Sequence, residues 1–204
     1  MQSFRIRTAR HRLPVVDSAQ CAKAASGILY GRLAARHALL RLGTPDQEIG
    51  TGAFREPLWP TGIVGSITHT RSYAAAIALP ASNYTGIGID IEHLIAAKAQ
   101  HTVESTALVA SERTLLKGLT GDLSYETSLT VAFSAKESFF KGTFATVKHY
   151  FGFEAVELTA LDNASGTLEL MIVQPLATNL PIGRRFMLRF GFIDSETLIT
   201  SFLW

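Results

Sequence analysis

The segment from Gly86 to Glu92 constrains the fold most, because isoleucine occupies every second position within it. β-Branched isoleucine favours an extended backbone, and successive side chains of a strand point to opposite faces. The isoleucines therefore share one face of a strand, while Asp90 and Glu92 share the other, roughly 6–7 Å apart. Two carboxylates at this spacing could bind a hard cation such as Mg2+. The segment by itself also fits an ordinary strand with an acidic, solvent-facing side.

The composition is that of a globular protein with one large domain or two small lobes. Hydrophobic residues make up 47% of the 204 and charged residues 18%, which excludes a disordered chain. The net charge of +2 is too small to predict nucleic-acid binding but is compatible with an anionic substrate. Cys21 is the single cysteine, so we expect a small buried side chain there, and neither a disulfide framework nor a cysteine-ligated zinc site.

The hydrophobic runs of the chain are short. The first residues contain no apolar segment of signal-peptide length, and no run approaches the roughly 18 apolar residues that span a bilayer. These features predict a cytoplasmic protein without a membrane span.

Hydrophobic periodicity predicts a first group of elements that ends at the alternating segment. An extended stretch at 4–16, which ends in a proline-containing turn, precedes a helix at 22–42, and three strands follow, the last at 86–92. Strands separated by short turns suggest an antiparallel meander. The small residues at 74–78 predict that another element, the first helix, packs closely on it.

A second group of elements follows, with helices at 95–117 and from near 125 to 142, and then four strand segments. The sequence at 163–166 predicts a hairpin turn between the first two of these strands. The arrangement predicts an α+β fold of two similar lobes, residues 1–92 and 93–204. We expect the lobes to pack as one body with pseudo-twofold symmetry, in a monomer.

Charged residues near the end of the third helix are candidates for chemistry. Glu137 and Lys141 lie one helical turn apart and share a face. A surface ion pair would explain them, and so would a capping box in which Ser134 and Glu137 start a helix. The apolar residues at 129–133 weaken the second explanation, since they read as part of the same helix.

Basic residues in the first half are candidates for binding an anion. His69 ends a predicted strand between the hydroxyls of Thr68 and Thr70, where it could bind a phosphate or a nucleobase edge or serve a structural role. Arg32 and Arg36 lie one turn apart on the first helix and share a face, which an ordinary solvated basic face would also explain.

Three segments in order carry a family resemblance. They are Ser66–Thr70 (Ser-Ile-Thr-His-Thr), Gly88–Glu92 (Gly-Ile-Asp-Ile-Glu) and Phe133–Lys141 (Phe-Ser-Ala-Lys-Glu-Ser-Phe-Phe-Lys). Together they resemble the 4'-phosphopantetheinyl transferases. The length and the segment Arg55–Pro60 are similar to the large, single-chain subfamily of the Sfp and enterobactin synthetase component D type. The resemblance runs from about Arg32 to Gly142.

The resemblance implies an enzyme that transfers the 4'-phosphopantetheine arm of coenzyme A to a serine of an apo carrier protein. The other product is adenosine 3',5'-bisphosphate, and Mg2+, or Mn2+, is the implied cofactor. Breaking the pyrophosphate builds negative charge on oxygen, so a cation, basic donors and a base suit the reaction. The resemblance also implies that the enzyme serves siderophore, nonribosomal peptide or polyketide synthesis. The implied fold is that of the 4'-phosphopantetheinyl transferases.

The resemblance implies an acidic site that joins the two halves of the chain. Asp90, Glu92 and Glu137 would ligate Mg2+, and Glu137 is also the family's candidate base for the serine proton. Lys141 would contact phosphate, and Lys136, on a different helical face, is a weaker candidate. Three neighbouring carboxylates repel one another unless a cation lies among them, so we expect weakened stability without metal.

The remaining implied residues would bind coenzyme A. His69, with Thr68 beside it, would bind the 3'-phosphate or the pyrophosphate, and His69 belongs with Glu137 and Lys141 in the catalytic set. Arg36 and Arg55 would hold the 3'-phosphate end, and Arg32 is a less secure member of the same set.

The implied protein partner is a carrier domain, which is an acidic helical bundle. It would bind an apolar patch with a basic rim on this protein, to which residues 95–117 would contribute.

Two alternatives remain beside this interpretation. One is another Mg2+-dependent phosphoryl-transfer or hydrolytic enzyme that does not use coenzyme A. The other is a non-catalytic scaffold that holds a carrier domain.

Overall fold

The computed structural model describes residues 27–119 and 123–204. The extended stretch predicted at 4–16, the start of the first helix and Cys21 lie outside these residues. The elements in chain order are α1 (Gly27–Arg41), β1 (Gly50–Thr51), β2 (Pro57–Leu58), β3 (Ile63–His69), β4 (Ala74–Pro80), β5 (Ile87–His93), α2 (Ala97–Ala107), α3 (Ala110–Gly118), α4 (Tyr125–Val147), a 3-10 turn (Phe153–Ala155), β6 (Val156–Asp162), β7 (Thr167–Ile172), β8 (Arg185–Asp194) and β9 (Thr197–Leu203).

Helix α1 packs on the antiparallel pair β3–β4, as the small residues predict. Ala35 and Ala38 of the helix lie in one buried cluster with Ala76 and Ala78 of β4. Side chains of this size let the helix and the strands approach closely. The close packing places the beginning of α1 beside His69, at the end of β3.

Strand β5 is not the third strand of a meander with β3 and β4, and that prediction is wrong. It pairs antiparallel with β9 at the edge of a five-stranded sheet of order β5-β9-β8-β7-β6. Hydroxyls join β5 to β3: the N–H groups of Ile89 and Ile91 donate to Ser66 Oγ at 3.0 Å and Thr68 Oγ1 at 3.1 Å. Because side chains take these amide hydrogens, no backbone ladder forms there, and β5 bridges the two halves. The division at residue 92 stays a prediction.

Helix α4 lies across the five-stranded sheet and almost touches β5. A Cβ atom added to Gly88 would lie 1.7 Å from the carbonyl oxygen of Ser138, so only glycine permits this approach. Helix α4 also contacts β9, where the ring of Phe139 lies 5.0 Å from that of Phe202. The approach places the acidic face of β5 against the face of α4 that carries Glu137.

The single helix predicted at 95–117 is two helices, α2 and α3, and the structure corrects that prediction. Glu112 turns its carboxylate back to the N–H of Val109 at 2.8 Å, which starts α3. The ammonium of Lys136 donates a hydrogen bond to the carbonyl of Ala107 at 2.9 Å. These two contacts hold the chain in a break that local periodicity does not reveal.

The α+β class is confirmed, and so are the four strands of the tail. The predicted hairpin turn at 163–166 joins β6 to β7, with Gly166 in the left-handed region at φ 63°. The pseudo-twofold relation of the lobes and the monomeric state stay predictions. Within residues 27–119 and 123–204, every helix is too short or too polar to cross a membrane.

Candidate active site

The carboxylate of Asp90 lies between β5, β3 and α4 and is almost fully buried, with 3% of the residue exposed. Its Oδ1 atom accepts from Lys141 Nζ at 2.6 Å and from Thr68 Oγ1 at 3.2 Å. Its Oδ2 atom accepts from Ser134 Oγ at 2.8 Å. The structure thus brings together residues from all three segments of the sequence resemblance.

Glu92 and Glu137 lie half-buried near Asp90 and carry perturbed acidities. Burial, followed by repulsion from Asp90, raises the pKa of Glu92 to about 7, and Lys141 opposes the rise. Burial also raises the pKa of Glu137, against the attraction of Lys141 and with a smaller contribution from Asp90. Three carboxylates thus share one ammonium group, which leaves an excess of negative charge.

The donor set fits a hard divalent cation in its chemistry. Asp90, Glu92 and Glu137 offer oxygen ligands, and their repulsion would be relieved by positive charge. In the described part of the chain, however, no three His, Cys, Asp or Glu side chains are grouped so that they could hold a metal ion together. A common site for the three carboxylates therefore requires a side-chain rearrangement.

A cavity of about 340 Å³ opens beside this cluster, between α1, β3, the loop at 54–59 and the second half of α4. Lys141 lines it and also contacts Asp90, so it links the cavity to the acidic cluster. The residues that line it are Ile28, Arg32, Phe54, Arg55, Glu56, Pro57, Trp59, Gly65, Ser66, Ile67, His69, Phe140, Lys141, Phe144, Ala145 and Tyr150.

His69 and Arg55, two of the residues predicted to bind an anion, line this cavity. The His69 ring lies against α1, where a Cβ added to Gly27 would be 3.0 Å from Nδ1. Arg55 is exposed and adopts a left-handed backbone conformation with φ 68°. Such a conformation is uncommon for a long side chain and often marks a functional position.

Three other predicted coenzyme A ligands are placed differently from expectation. Arg36 does not line the cavity and forms an exposed ion pair with Asp46, which raises the pKa of Arg36. Arg32 does line the cavity, but its guanidinium donates to the carbonyl of Gly50 at 2.7 Å. Thr68 is buried behind Asp90 and does not line the cavity. Of the two arginines on α1, Arg32 lines the cavity and Arg36 does not, and the Thr68 hydroxyl donates to Asp90.

Sequence reasoning missed the aromatic wall of the cavity. The ring of Phe54 lies 5.8 Å from Phe144 and 5.7 Å from Tyr150, in edge-to-face contacts. The Tyr150 hydroxyl donates to the carbonyl of Phe54 at 2.8 Å, which ties the loop after β1 to the loop after α4. Phe140 stacks on Tyr150 at 5.8 Å and separates the cavity from a second one of about 320 Å³ that contains Glu137. The spacing of Phe140 and Phe144 on α4 was the available signal.

Lys136 points to the opposite side of α4 from the cavity and is fully buried. Its ammonium contacts the Glu112 carboxylate at 2.7 Å and donates to the carbonyl of Phe153 at 3.1 Å. Glu112 also accepts from the N–H of Leu158 at 2.6 Å. Burial lowers the pKa of Lys136, and Glu112 opposes the fall. The pair anchors α4 to α3 and β6, so Lys136 is structural, in line with its lower rank in the sequence analysis.

Family models match both halves of the chain. The 4'-phosphopantetheinyl transferase N-terminal domain matches residues 19–79, and the 4'-phosphopantetheinyl transferase superfamily model matches residues 86–183. A 4'-phosphopantetheinyl transferase Npt of Nocardia iowensis is 33% identical over 174 residues, which cover 79% of this chain and 76% of that protein. The chain belongs to the 4'-phosphopantetheinyl transferase family.

Other members of the family differ from the chain in length. The enterobactin synthase component D of Salmonella typhi is 36% identical over 146 residues, 70% of this chain and 58% of that protein. The chain thus matches little more than half the length of this relative. A solved holo-(acyl-carrier-protein) synthase from Bacillus anthracis superposes with a TM-score of 0.40 at 22% identity, over 59% of this chain and 95% of that one.

The boundary between the two family models falls in the turn before β5. The transferase superfamily model therefore includes Asp90, Glu92, Glu137 and Lys141 in one unit, while His69 and Arg55 belong to the other. The cavity lies where the two matched regions meet.

Proposed function

We propose that the protein transfers the 4'-phosphopantetheine arm of coenzyme A to a serine hydroxyl of an apo carrier protein and releases adenosine 3',5'-bisphosphate. The observation that carries the proposal is the position of Lys141. It contacts Asp90 of the acidic cluster and lines the cavity that His69 and Arg55 also line. A bound pyrophosphate beside Lys141 would meet basic groups on one side and carboxylates on the other.

The basic residues would bind and orient the substrate. Coenzyme A carries several negative charges, and Lys141, His69 and Arg55 supply charge-assisted donors along the cavity. Its apolar portions suit the aromatic wall of Phe54 and Tyr150. In this arrangement Lys141 would offset negative charge that develops on the phosphate oxygens as the bond breaks.

Glu137 is the proposed base for the carrier serine. The family resemblance implies this role, and Glu137 lines the second cavity, which adjoins the first at Phe140. The carboxylate would take the serine proton as the hydroxyl oxygen attacks the phosphorus that bears the pantetheine arm. Asp90, Glu92 and Glu137 would hold Mg2+, which would supply charge neutralisation on the pyrophosphate.

The proposed carrier is an acidic helical domain of a siderophore, nonribosomal peptide or polyketide pathway. Support comes from the relatives, several of which bear the name enterobactin synthase component D. The chain's net charge of +2 suits an acidic partner.

The test is to incubate the protein with coenzyme A, Mg2+ and apo carrier domains, and to weigh each carrier by mass spectrometry. We expect the carrier to gain the mass of one phosphopantetheine. Asp90→Asn should slow the gain about 100-fold or more, and Asp162→Asn, at the exposed β6–β7 turn, should leave it unchanged. No mass gain on any acyl, peptidyl or aryl carrier would refute the proposal. Stabilisation against heat by ATP and not by coenzyme A would favour another phosphoryl-transfer enzyme. Metal-independent carrier binding would favour a scaffold.

A further inference from the structure

Arg55 lies at the tip of the hairpin formed by β1 and β2, which provides one wall of the cavity. The two strands share only two residue pairs, Gly50 with Leu58 and Thr51 with Pro57. An isolated two-stranded hairpin is marginally stable at best, so one this short depends on contacts with the rest of the protein. The position of Arg55 therefore depends on what holds the hairpin.

Hydrogen bonds within the tip of the hairpin define its shape. The N–H of Arg55 donates to the carbonyl of Gly52 at 3.0 Å, and the N–H of Gly52 donates to the carbonyl of Glu56 at 2.8 Å. The Glu56 carboxylate accepts from the N–H of Phe54 at 2.9 Å. These bonds join residues of the hairpin to one another, so they do not determine where the hairpin lies relative to the cavity.

The guanidinium of Arg32 ties the first strand of the hairpin to α1. Its Nη1 atom donates to the carbonyls of Ile49 at 3.0 Å and Gly50 at 2.7 Å, and its Nη2 atom donates to Thr51 Oγ1 at 2.8 Å. One side chain thus binds three consecutive residues. The planar guanidinium holds its donors in fixed directions on separate nitrogen atoms, whereas a lysine ammonium places all its donors on one nitrogen. Only arginine therefore suits this set of acceptors.

The tie from Arg32 relates the hairpin to the other side of the cavity. Helix α1, which carries Arg32, also lies against the ring of His69. Arg55 and His69 are thereby held on a common support, although they come from separate elements. A second tie, from the Tyr150 hydroxyl to the carbonyl of Phe54 at 2.8 Å, holds the tip from the loop after α4. Arg32 is the tie that fixes the strand leading into the tip.

We propose that Arg32 is a positioning residue for coenzyme A binding, which acts by holding the β1–β2 hairpin so that Arg55 lines the cavity. The proposal rests on the proposed function, in which Arg55 binds coenzyme A. It gives Arg32 a part different from the direct contact that the sequence resemblance implies. Three of the five N–H groups of its guanidinium, including both on Nη1, are already used by the hairpin.

The test is a double-mutant cycle on the dissociation constant of coenzyme A, measured by isothermal titration calorimetry with the purified full chain. Arg32→Gln and Arg55→Gln should each raise the constant about tenfold. The double variant should also lose about tenfold in all, because a residue that acts through Arg55 has little effect without it. Arg32→Lys should bind as weakly as Arg32→Gln, since it keeps the charge and loses the planar set of donors. Arg41→Gln is the matched control, because Arg41 is an exposed arginine at the end of the same helix and does not line the cavity; it should bind like the wild type.

Chymotrypsin cleavage after Phe54, without coenzyme A, measures the hold on the hairpin directly, since local opening makes this bond easier to cleave. Arg32→Gln should be cleaved about tenfold faster than the wild type, and Arg41→Gln at the wild-type rate. Thr51→Val removes one acceptor of Arg32 at a residue that does not line the cavity. It should raise both the cleavage rate and the dissociation constant about two- to threefold.

Additive effects of Arg32→Gln and Arg55→Gln, about 100-fold together, would overturn the proposal in favour of a direct contact between Arg32 and coenzyme A. Wild-type affinity in Arg32→Lys would also overturn it, as would a cleavage rate that Arg32→Gln leaves unchanged. If Arg32→Gln does not fold, Thr51→Val decides instead: weaker binding with faster cleavage supports the tie, and unchanged behaviour refutes it. A wild type that binds no coenzyme A overturns the proposal as well. The proposed function fails separately, when the wild type binds coenzyme A and modifies no carrier.

Discussion

Replacing Glu112 by glutamine should destabilise the protein strongly, although the change is nearly isosteric. The Glu112 carboxylate is fully buried and accepts from Lys136 and from the N–H groups of Val109 and Leu158. Glutamine has one acceptor oxygen, so its amide NH2 would face at least one of these donors. The Lys136 ammonium would lose its counter-charge in a site without solvent. Breaking a buried ion pair on one side costs about 3–5 kcal/mol, and we expect a loss of free energy of unfolding in that range.

The pH dependence of this loss follows from the lowered pKa of Lys136. Because the Glu112 carboxylate raises the pKa of Lys136, that pKa falls further in the variant. The unfolded chain then holds a proton that the folded chain has released, so stability rises with pH between the folded and the unfolded pKa. The slope is about 1.4 kcal/mol per pH unit for one proton. In the variant this window opens at a lower pH than in the wild type, so the deficit should narrow as the pH rises from the folded pKa of Lys136 in the variant to that in the wild type, which lies below its ordinary value of 10.5.

Urea denaturation at a series of pH values below 10.5, the ordinary pKa of lysine, measures both effects. Asp46→Asn is the matched control, since Asp46 pairs with Arg36 at the surface, with both side chains about half exposed, and should cost far less stability than Glu112→Gln. A loss below about 1 kcal/mol in Glu112→Gln would refute the buried-pair argument. A deficit that widens with rising pH would refute the assignment of the proton to Lys136.

Three further changes test the site and its support. Gly88→Ala should cost at least about 3 kcal/mol in urea denaturation, since the new Cβ would meet the carbonyl of Ser138; a loss under about 1 kcal/mol would contradict the close approach. Glu92→Gln should stabilise the protein by about 1 kcal/mol in chelator at a pH above about 7, after allowance for solvent screening, because it removes the cost of burying the Glu92 charge and, second, its repulsion by Asp90. Added Mg2+ should then stabilise the wild type more than this variant, and a less stable variant in chelator would disprove the repulsion. Tyr150→Phe should raise the KM for coenzyme A about two- to tenfold, since it frees the loop at Phe54; an unchanged KM would show that this tie does not shape the cavity.

Local periodicity was sufficient to predict most elements near the site. The alternation that ends at Asp90 and Glu92 predicts their shared face on a strand, and the structure shows Asp90 directed at α4. The helical spacing of Glu137 and Lys141 predicts a common side, and both groups act on the electrostatics of Glu92. These features depend on residues a few positions apart, so the sequence alone contains them.

Contacts between side chains that are far apart in sequence could not be predicted from local periodicity. Thr68 and His69 are neighbours in sequence, but Thr68 turns inward to Asp90 and His69 turns to the cavity, because successive strand residues face opposite sides. Arg32 lines the cavity, whereas Arg36, one helical turn later, pairs with Asp46.

The sequence by itself determined the α+β class, the strand that carries two carboxylates and the helix that carries the third. Only the tertiary structure decided that this strand joins β9, and so places Thr200 behind Asp90. It also decided that Lys136 and Glu112 break the predicted helix at 95–117. The physical reason is common to both: backbone and side-chain groups find partners far away in sequence, and burial makes each of those bonds obligatory.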